Sequence, residues 1–241
     1  MKVLIRWTAG AEDMPRLSSR VRPKRWSPEA GSLPQRKIPG MGVERVVAPD
    51  SIEDLLRISA KLDVRFHVLK GDVVVTTKEP AFRELFRILE ENEARYALIG
   101  GLAVQLWGEE ARTTLDIDVA VKSYESVPRA ALEAAGFRLL ERHEHSENWM
   151  GPDDTPVQFS DDPTFAFLIE HAVTRSFEGG RVRVAPAIEL VRSKLRAARD
   201  DARRPSKRLR DLADAQGLIE REPDLERQLS EAEKALLRRP L

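Results

Sequence analysis

The sequence predicts an α/β (α+β) fold, a mixed sheet flanked by helices and followed by a helical C-terminal region. Three observations carry this. Short branched or apolar runs such as Tyr96-Ala97-Leu98-Ile99 and Asp116-Ile117-Asp118-Val119-Ala120-Val121 read as strands. Segments with apolar residues at helical spacing alternate with them, for example Phe82, Leu85, Phe86 and Leu89. From Pro186 onward only helical patterns remain.

Four segments follow in order. Residues 1–48 hold nine of the prolines and glycines of a basic arm; over residues 1–49 there are ten Lys/Arg against four Asp/Glu. Apart from the opening MKVLIRW, which reads as a strand, prolines break this arm too often for regular elements. Residues 49–78 read as a helix plus a hairpin. Asp50 or Ser51 caps a helix with Ile52, Leu55, Leu56 and Leu62 on one face, and Val64 to Leu69 and Val73 to Thr77 pair around Gly71-Asp72. Residues 79–185 form the central α/β domain. A helix follows Pro80, Leu102 to Trp107 forms a short helix closed by Gly108, and another helix ends at Gly136. Phe137 to Leu140, Val157 to Phe159 and Arg181 to Val184 are further strands. Residues 186–241 are helical, over Ala187 to about Asp200, Ser206 to Glu220 and Pro223 to Leu237.

Composition narrows the chemistry. The chain has 241 residues, 41% of them apolar, enough for a core, and its 40 basic and 40 acidic residues cancel. The absence of cysteine excludes disulfides, thiolate zinc sites and cysteine catalysis. No apolar run approaches the roughly 18 residues needed to span a bilayer. A soluble, cytoplasmic protein is therefore expected.

The chemistry is concentrated between Tyr96 and Lys122. In a strand, Asp116 and Asp118 share a face while Ile117 and Val119 point to the core. Two adjacent carboxylates stay ionised cheaply when a cation sits between them, and hard oxygen donors suit Mg²⁺. Gly100-Gly101, between a strand and a helix, lets a ligand approach the backbone and leaves N–H groups free for phosphates. Together they place a phosphate cradle beside a metal-binding pair, as phosphoryl or nucleotidyl transfer requires.

Leu98-Ile99-Gly100-Gly101, Arg112-Thr113-Thr114 and Asp116-Ile117-Asp118 resemble the signature of the nucleotidyltransferase (polymerase-beta-like) superfamily. More narrowly the chain is similar to the bacterial AbiEii-type nucleotidyltransferases, several of which are toxins of toxin–antitoxin pairs. Glu189 to Leu195, Arg204 to Lys207 and Asp211 to Asp214 resemble that group's C-terminal helical motif. The resemblance implies transfer of a nucleoside monophosphate from a nucleoside triphosphate to an acceptor hydroxyl. Asp116 and Asp118 would bind Mg²⁺, or Mn²⁺ in its place, and Gly100, Gly101, Arg112, Thr114 and Lys194 would contact the nucleotide. The implied partners are the triphosphate, an acceptor that is tRNA or other RNA, a protein or a small molecule, and a cognate antitoxin. One position departs from the pattern: Gln158 stands where the superfamily supplies a third carboxylate, with Asp161 and Asp162 as substitutes nearby.

Other features have plainer readings. His143 and His145 belong to a polar loop, Trp107 to the core, and Lys207 with Asp211 to an i, i+4 helix pair. Val191 to Asp211 carries nine Lys/Arg against three Asp/Glu, a solvated basic face or an acceptor groove. Two alternatives stand beside the enzyme: a catalytically silent nucleotide-binding or protein-interaction module on the same fold, and a nucleic-acid-binding protein using its basic segments.

Overall fold

The computed structural model describes residues 3–4, 49, 51–71, 74–108 and 113–238. Except for residues 3–4, the expected arm over 1–48 lies outside them, as do Asp72, Val73 and Arg112. The elements, in chain order, are β1 (Val3–Leu4), α1 (Ile52–Lys70), β2 (Val74–Val75), α2 (Glu79–Glu91), β3 (Tyr96–Ile99), α3 (Gly100–Trp107) and β4 (Ile117–Val121). They continue with α4 (Arg129–Ala134), β5 (Arg138–Arg142), β6 (Glu147–Met150), β7 (Pro156–Ser160), α5 (Ala166–Glu170), β8 (Val173–Phe177) and β9 (Gly180–Val184). The chain closes with α6 (Ala187–Arg199), α7 (Pro205–Arg221), α8 (Asp224–Arg227) and α9 (Glu231–Leu237).

Among the described residues seven strands form one mixed sheet in the order β5-β6-β7-β4-β3-β9-β8. β3 runs antiparallel to β4 and parallel to β9, and β4 runs parallel to β7. The expected α/β class is therefore what the chain adopts. Central strands are buried on both faces, and Tyr96, Ala97, Leu98, Ile117, Val119 and Val184 form the middle of the core. The α2 face that carries Phe82, Leu85, Phe86 and Leu89 packs into it, with the Phe82 and Phe86 rings 4.5 Å apart. Among the described residues no helix is long and apolar enough to cross a membrane.

The expected hairpin over 64–77 is replaced by helix. Ser51 caps α1 by accepting from the Asp54 N–H at 3.0 Å, and the helix runs on through Val64 to Lys70. Once nucleated, each further residue adds a hydrogen bond. Gly71 stops it, in the left-handed conformation with its N–H on the carbonyls of His67 and Val68. Val74–Val75 then pairs with Val3–Leu4, not with 64–69. The sequence reading also missed β6 and β8, and it joined α8 and α9 into one helix. Ser230 separates these two by opening α9 with a capping box to Glu233.

Two buried ion networks tie the layers together. Glu147 on β6 is fully buried and receives Arg129 at 2.6 Å, Arg142, and the Trp149 indole at 3.2 Å. Burial alone would raise its pKa, but these three donors outweigh it and hold the carboxyl below the ordinary range. Lys78, just before α2, reaches Asp63 on α1 at 2.6 Å and Ser59 at 3.0 Å. All three are at least 95% buried, so charge and partner enter the interior as a unit.

Candidate metal and nucleotide site

The turn from β3 into α3 takes one residue. Ile99 is extended, and Gly100 then adopts φ +65 as the first residue of the helix. That conformation costs a non-glycine residue roughly 1–2 kcal/mol. Space matters more than angle here. A Cβ on Gly100 would lie 1.8 Å from Asp118 Oδ2 and 2.5 Å from its Cγ. A Cβ on Gly101 would lie 2.5 Å from Thr114 Oγ1. The two missing side chains are what allow the acidic strand to lie against the glycine turn.

Asp118 occupies β4 between Ile117 and Val119, both fully buried, and is itself half-buried. Asp116 precedes the strand and is exposed; β4 starts at Ile117, one residue later than the sequence pattern implies. The Thr114 hydroxyl donates to Asp116 Oδ1 at 3.1 Å and fixes that carboxylate from the segment that faces Gly101. The Gly101 N–H donates to Asp118. Burial and the neighbouring Asp116 charge push the Asp118 carboxyl up to about 7, against the pull of Lys194, the Gly101 N–H and Lys207. Such a pair is destabilised without a counter-charge, and a divalent cation held by hard oxygen donors supplies one. The donor set fits Mg²⁺ or Mn²⁺ at Asp116 and Asp118. Among the described residues no group of three His, Asp or Glu side chains gathers to hold a metal.

The helical hairpin α6–α7 brings positive charge to the same place. Lys194 Nζ lies 2.8 Å from Asp214 and 3.1 Å from Asp211, and Arg203 holds the other Asp211 oxygen at 2.7 Å. Asp211 therefore pairs with Lys194 across the hairpin, where the sequence suggested Lys207 one turn away. Lys207 is exposed, and its charge reaches Asp118. The buried Lys78 also feels Asp116: burial lowers its pKa, while Asp63 and then Asp116 oppose that shift.

Gln158 sits on β7 directly beside Asp118, paired in register across the parallel strands. Neither later acid replaces it. Asp161 engages His145 at 3.2 Å, and Asp162 Oδ1 accepts from the Thr164 N–H at 2.8 Å. His143 and His145 lie at the β5–β6 turn, His143 beside Glu141 and His145 beside Asp161. Trp107 packs against the core, donates to the Ala185 carbonyl at 2.9 Å, and carries Arg175 over its ring.

The structure thus brings Gly100, Gly101, Thr114, Asp116 and Asp118 together and sets Lys194 within electrostatic reach. Arg112 lies outside the described residues. Sequence reasoning missed Lys78, whose partner Asp63 is fifteen residues away on another helix. It also missed Asp214 as a partner of Lys194; the Asp211-Asp214 spacing on α7 was the available signal.

No protein-family model matches the chain, and no curated protein matches it in sequence. Several solved structures resemble it in outline. The antibiotic-resistance factor ANT(2'')-Ia is 17% identical over 65% of this chain and 93% of its own, with a TM-score of 0.45. The lincosamide antibiotic adenylyltransferase LnuA, solved with lincomycin bound, is 12% identical over 58% of this chain and 97% of its own, with a TM-score of 0.40. JHP933 from Helicobacter pylori is 18% identical over 66% and 70% of the two chains, with a TM-score of 0.44. Likenesses at this level assign no activity, and the functional reading rests on the site itself.

Proposed function

We propose that this chain is a metal-dependent nucleotidyltransferase that moves a nucleoside monophosphate from a nucleoside triphosphate to an acceptor hydroxyl. One observation carries the reading: Asp118 lies so close beneath Gly100 that a Cβ there would strike its carboxylate. A phosphate chain on the glycine turn and a cation on Asp116 and Asp118 would then share one local unit. The acceptor oxygen attacks the α-phosphorus, the bond from that phosphorus to the β-phosphate bridging oxygen breaks, and pyrophosphate leaves with the electron pair. The hydroxyl proton passes to solvent.

Each residue has a defined part. The first-turn N–H groups of α3 other than that of Gly101, which Asp118 takes, would hold phosphate oxygens, Asp116 and Asp118 would hold Mg²⁺, and Thr114 orients Asp116. Lys194 and Lys207 supply positive charge near the triphosphate, and Asp211 with Asp214 fixes the Lys194 ammonium in place. When bound, the ion neutralises the charge that develops on the phosphates. The AbiEii-type resemblance is the finer proposal, which would make the chain a toxin with a cognate antitoxin as partner. Gln158 beside Asp118 favours a second reading, a nucleotide-binding module without turnover on the same fold.

The deciding experiment incubates the protein with labelled nucleoside triphosphates, Mg²⁺, and RNA, protein and small-hydroxyl acceptors, and follows label transfer and pyrophosphate release. Transfer is expected, abolished by chelation and reduced about a thousandfold by Asp116→Ala or Asp118→Ala, as loss of several kcal/mol of metal-derived stabilisation implies. Absence of transfer with every nucleotide, or a rate unchanged by Asp116→Ala, would refute it. Binding of triphosphate without turnover would select the silent module.

A further inference from the structure

Directly paired residues of neighbouring strands project from one face of a sheet, so the side chains level with Asp118 follow from the register. Asp118 pairs with Gln158 on β7, and Gln158 pairs with Asn148 on β6. Both amides are half-buried, as Asp118 is. The next position outward, Glu141 on the edge strand β5, is exposed and lies 3.1 Å from His143. The acids after β7 are turned to other partners, Asp161 to His145 and Asp162 to the Thr164 N–H. The two places beside the carboxylate pair are therefore neutral.

Charge decides what such a row can hold. Sites that use two metals keep them about 3.5–4 Å apart, and the repulsion of two divalent ions must be offset by carboxylates that bridge and flank them. Here Asp116 and Asp118 are the two carboxylates on the strand side; Lys194, itself paired with Asp211 and Asp214, and Lys207 act on Asp118 with the same sign as a metal. An amide oxygen is a hard donor but brings no negative charge.

Resting on the nucleotidyl-transfer reading, we propose that this site holds a single divalent ion, carried by Asp116 and Asp118. Gln158, with Asn148 beside it, takes the place a second ion would need and presents an amide to the acceptor. An amide both donates and accepts, so it orients a hydroxyl without removing its proton. The acceptor side is thus built for positioning, and the ion serves the nucleotide side alone.

Electron paramagnetic resonance of Mn²⁺ with the intact chain and α,β-methylene-ATP tests this directly, because two ions this close couple magnetically and a lone ion does not. Wild type is expected to bind one Mn²⁺ with an uncoupled spectrum at saturation, and Asp116→Ala to lose it. Gln158→Glu is expected to bind a second ion and show coupling; Asn148→Asp is the companion variant if Gln158→Glu does not fold by circular dichroism. A coupled pair in wild type would overturn the inference while leaving the nucleotide reading intact. No bound Mn²⁺ in wild type would overturn both. One uncoupled ion in every folded variant would overturn the role given to Gln158.

Discussion

Gly100→Ala is expected to abolish triphosphate binding and lower the melting temperature by roughly 4–20 °C. Two costs add. The left-handed backbone at Gly100 charges an alanine roughly 1–2 kcal/mol, and overpacking against a neighbour costs about 1–3 kcal/mol. The neighbour here is the Asp118 carboxylate, 1.8 Å from the added carbon, and it belongs to a central strand flanked by fully buried residues. The turn must therefore swing away from β4, which separates the phosphate cradle from the carboxylates. Calorimetry with a non-hydrolysable triphosphate and Mg²⁺, together with thermal unfolding, reads both effects. A variant that keeps wild-type affinity would show that the cradle does not depend on the close approach.

Lys78→Met is expected to be the most damaging single change outside the site. It leaves Asp63 at 5% exposure without its cation, a loss of about 3–5 kcal/mol and roughly 6–20 °C in melting temperature. The pH dependence gives the mechanism a signature. A buried carboxylate left without its cation favours the neutral form, so the folded variant takes up a proton more readily than the unfolded chain and its stability falls as pH rises. The deficit is thus expected to be smaller at pH 5 than at pH 8. Adding Asp63→Leu removes the buried charge and recovers most of the loss. Thermal unfolding of the three proteins at both pH values is the check, and a deficit independent of pH would point to packing instead of charge. Because Lys78 also feels Asp116, the single variant removes a charge of the same sign as the ion and is expected to strengthen metal affinity, and the double variant separates that effect from folding.

The parts of the molecule legible in the sequence are those whose cause is local. Ile99-Gly100-Gly101 announces a strand-to-helix turn because only glycine takes the backbone angle and the contact, and alternation along Ile117 to Val121 separates the carboxylate from the core. The family pattern points to Gln158 as the position of a third carboxylate, and the register puts it level with Asp118. Val64 to Leu69 misled because its branched residues favour strands, yet they sit largely exposed on α1, where helix propagation decides. β8 escaped notice because its first four residues are exposed at the sheet edge and carry no alternation. Pairings across long sequence distances, Lys78 with Asp63 and Lys194 with Asp211 and Asp214, have no local cause, and only the fold reveals them.

The central claim is that one ion and one polyphosphate are gripped together by the glycine turn and the acidic strand. A crystal of the intact protein grown with Mn²⁺ and α,β-methylene-ATP, measured at the manganese edge, tests it most directly. The expected result is an anomalous peak between the carboxylates of Asp116 and Asp118, with phosphate oxygens bound to that ion and to first-turn N–H groups of α3 other than that of Gly101. A nucleotide bound elsewhere, or a peak with no contact to either carboxylate, would contradict the account.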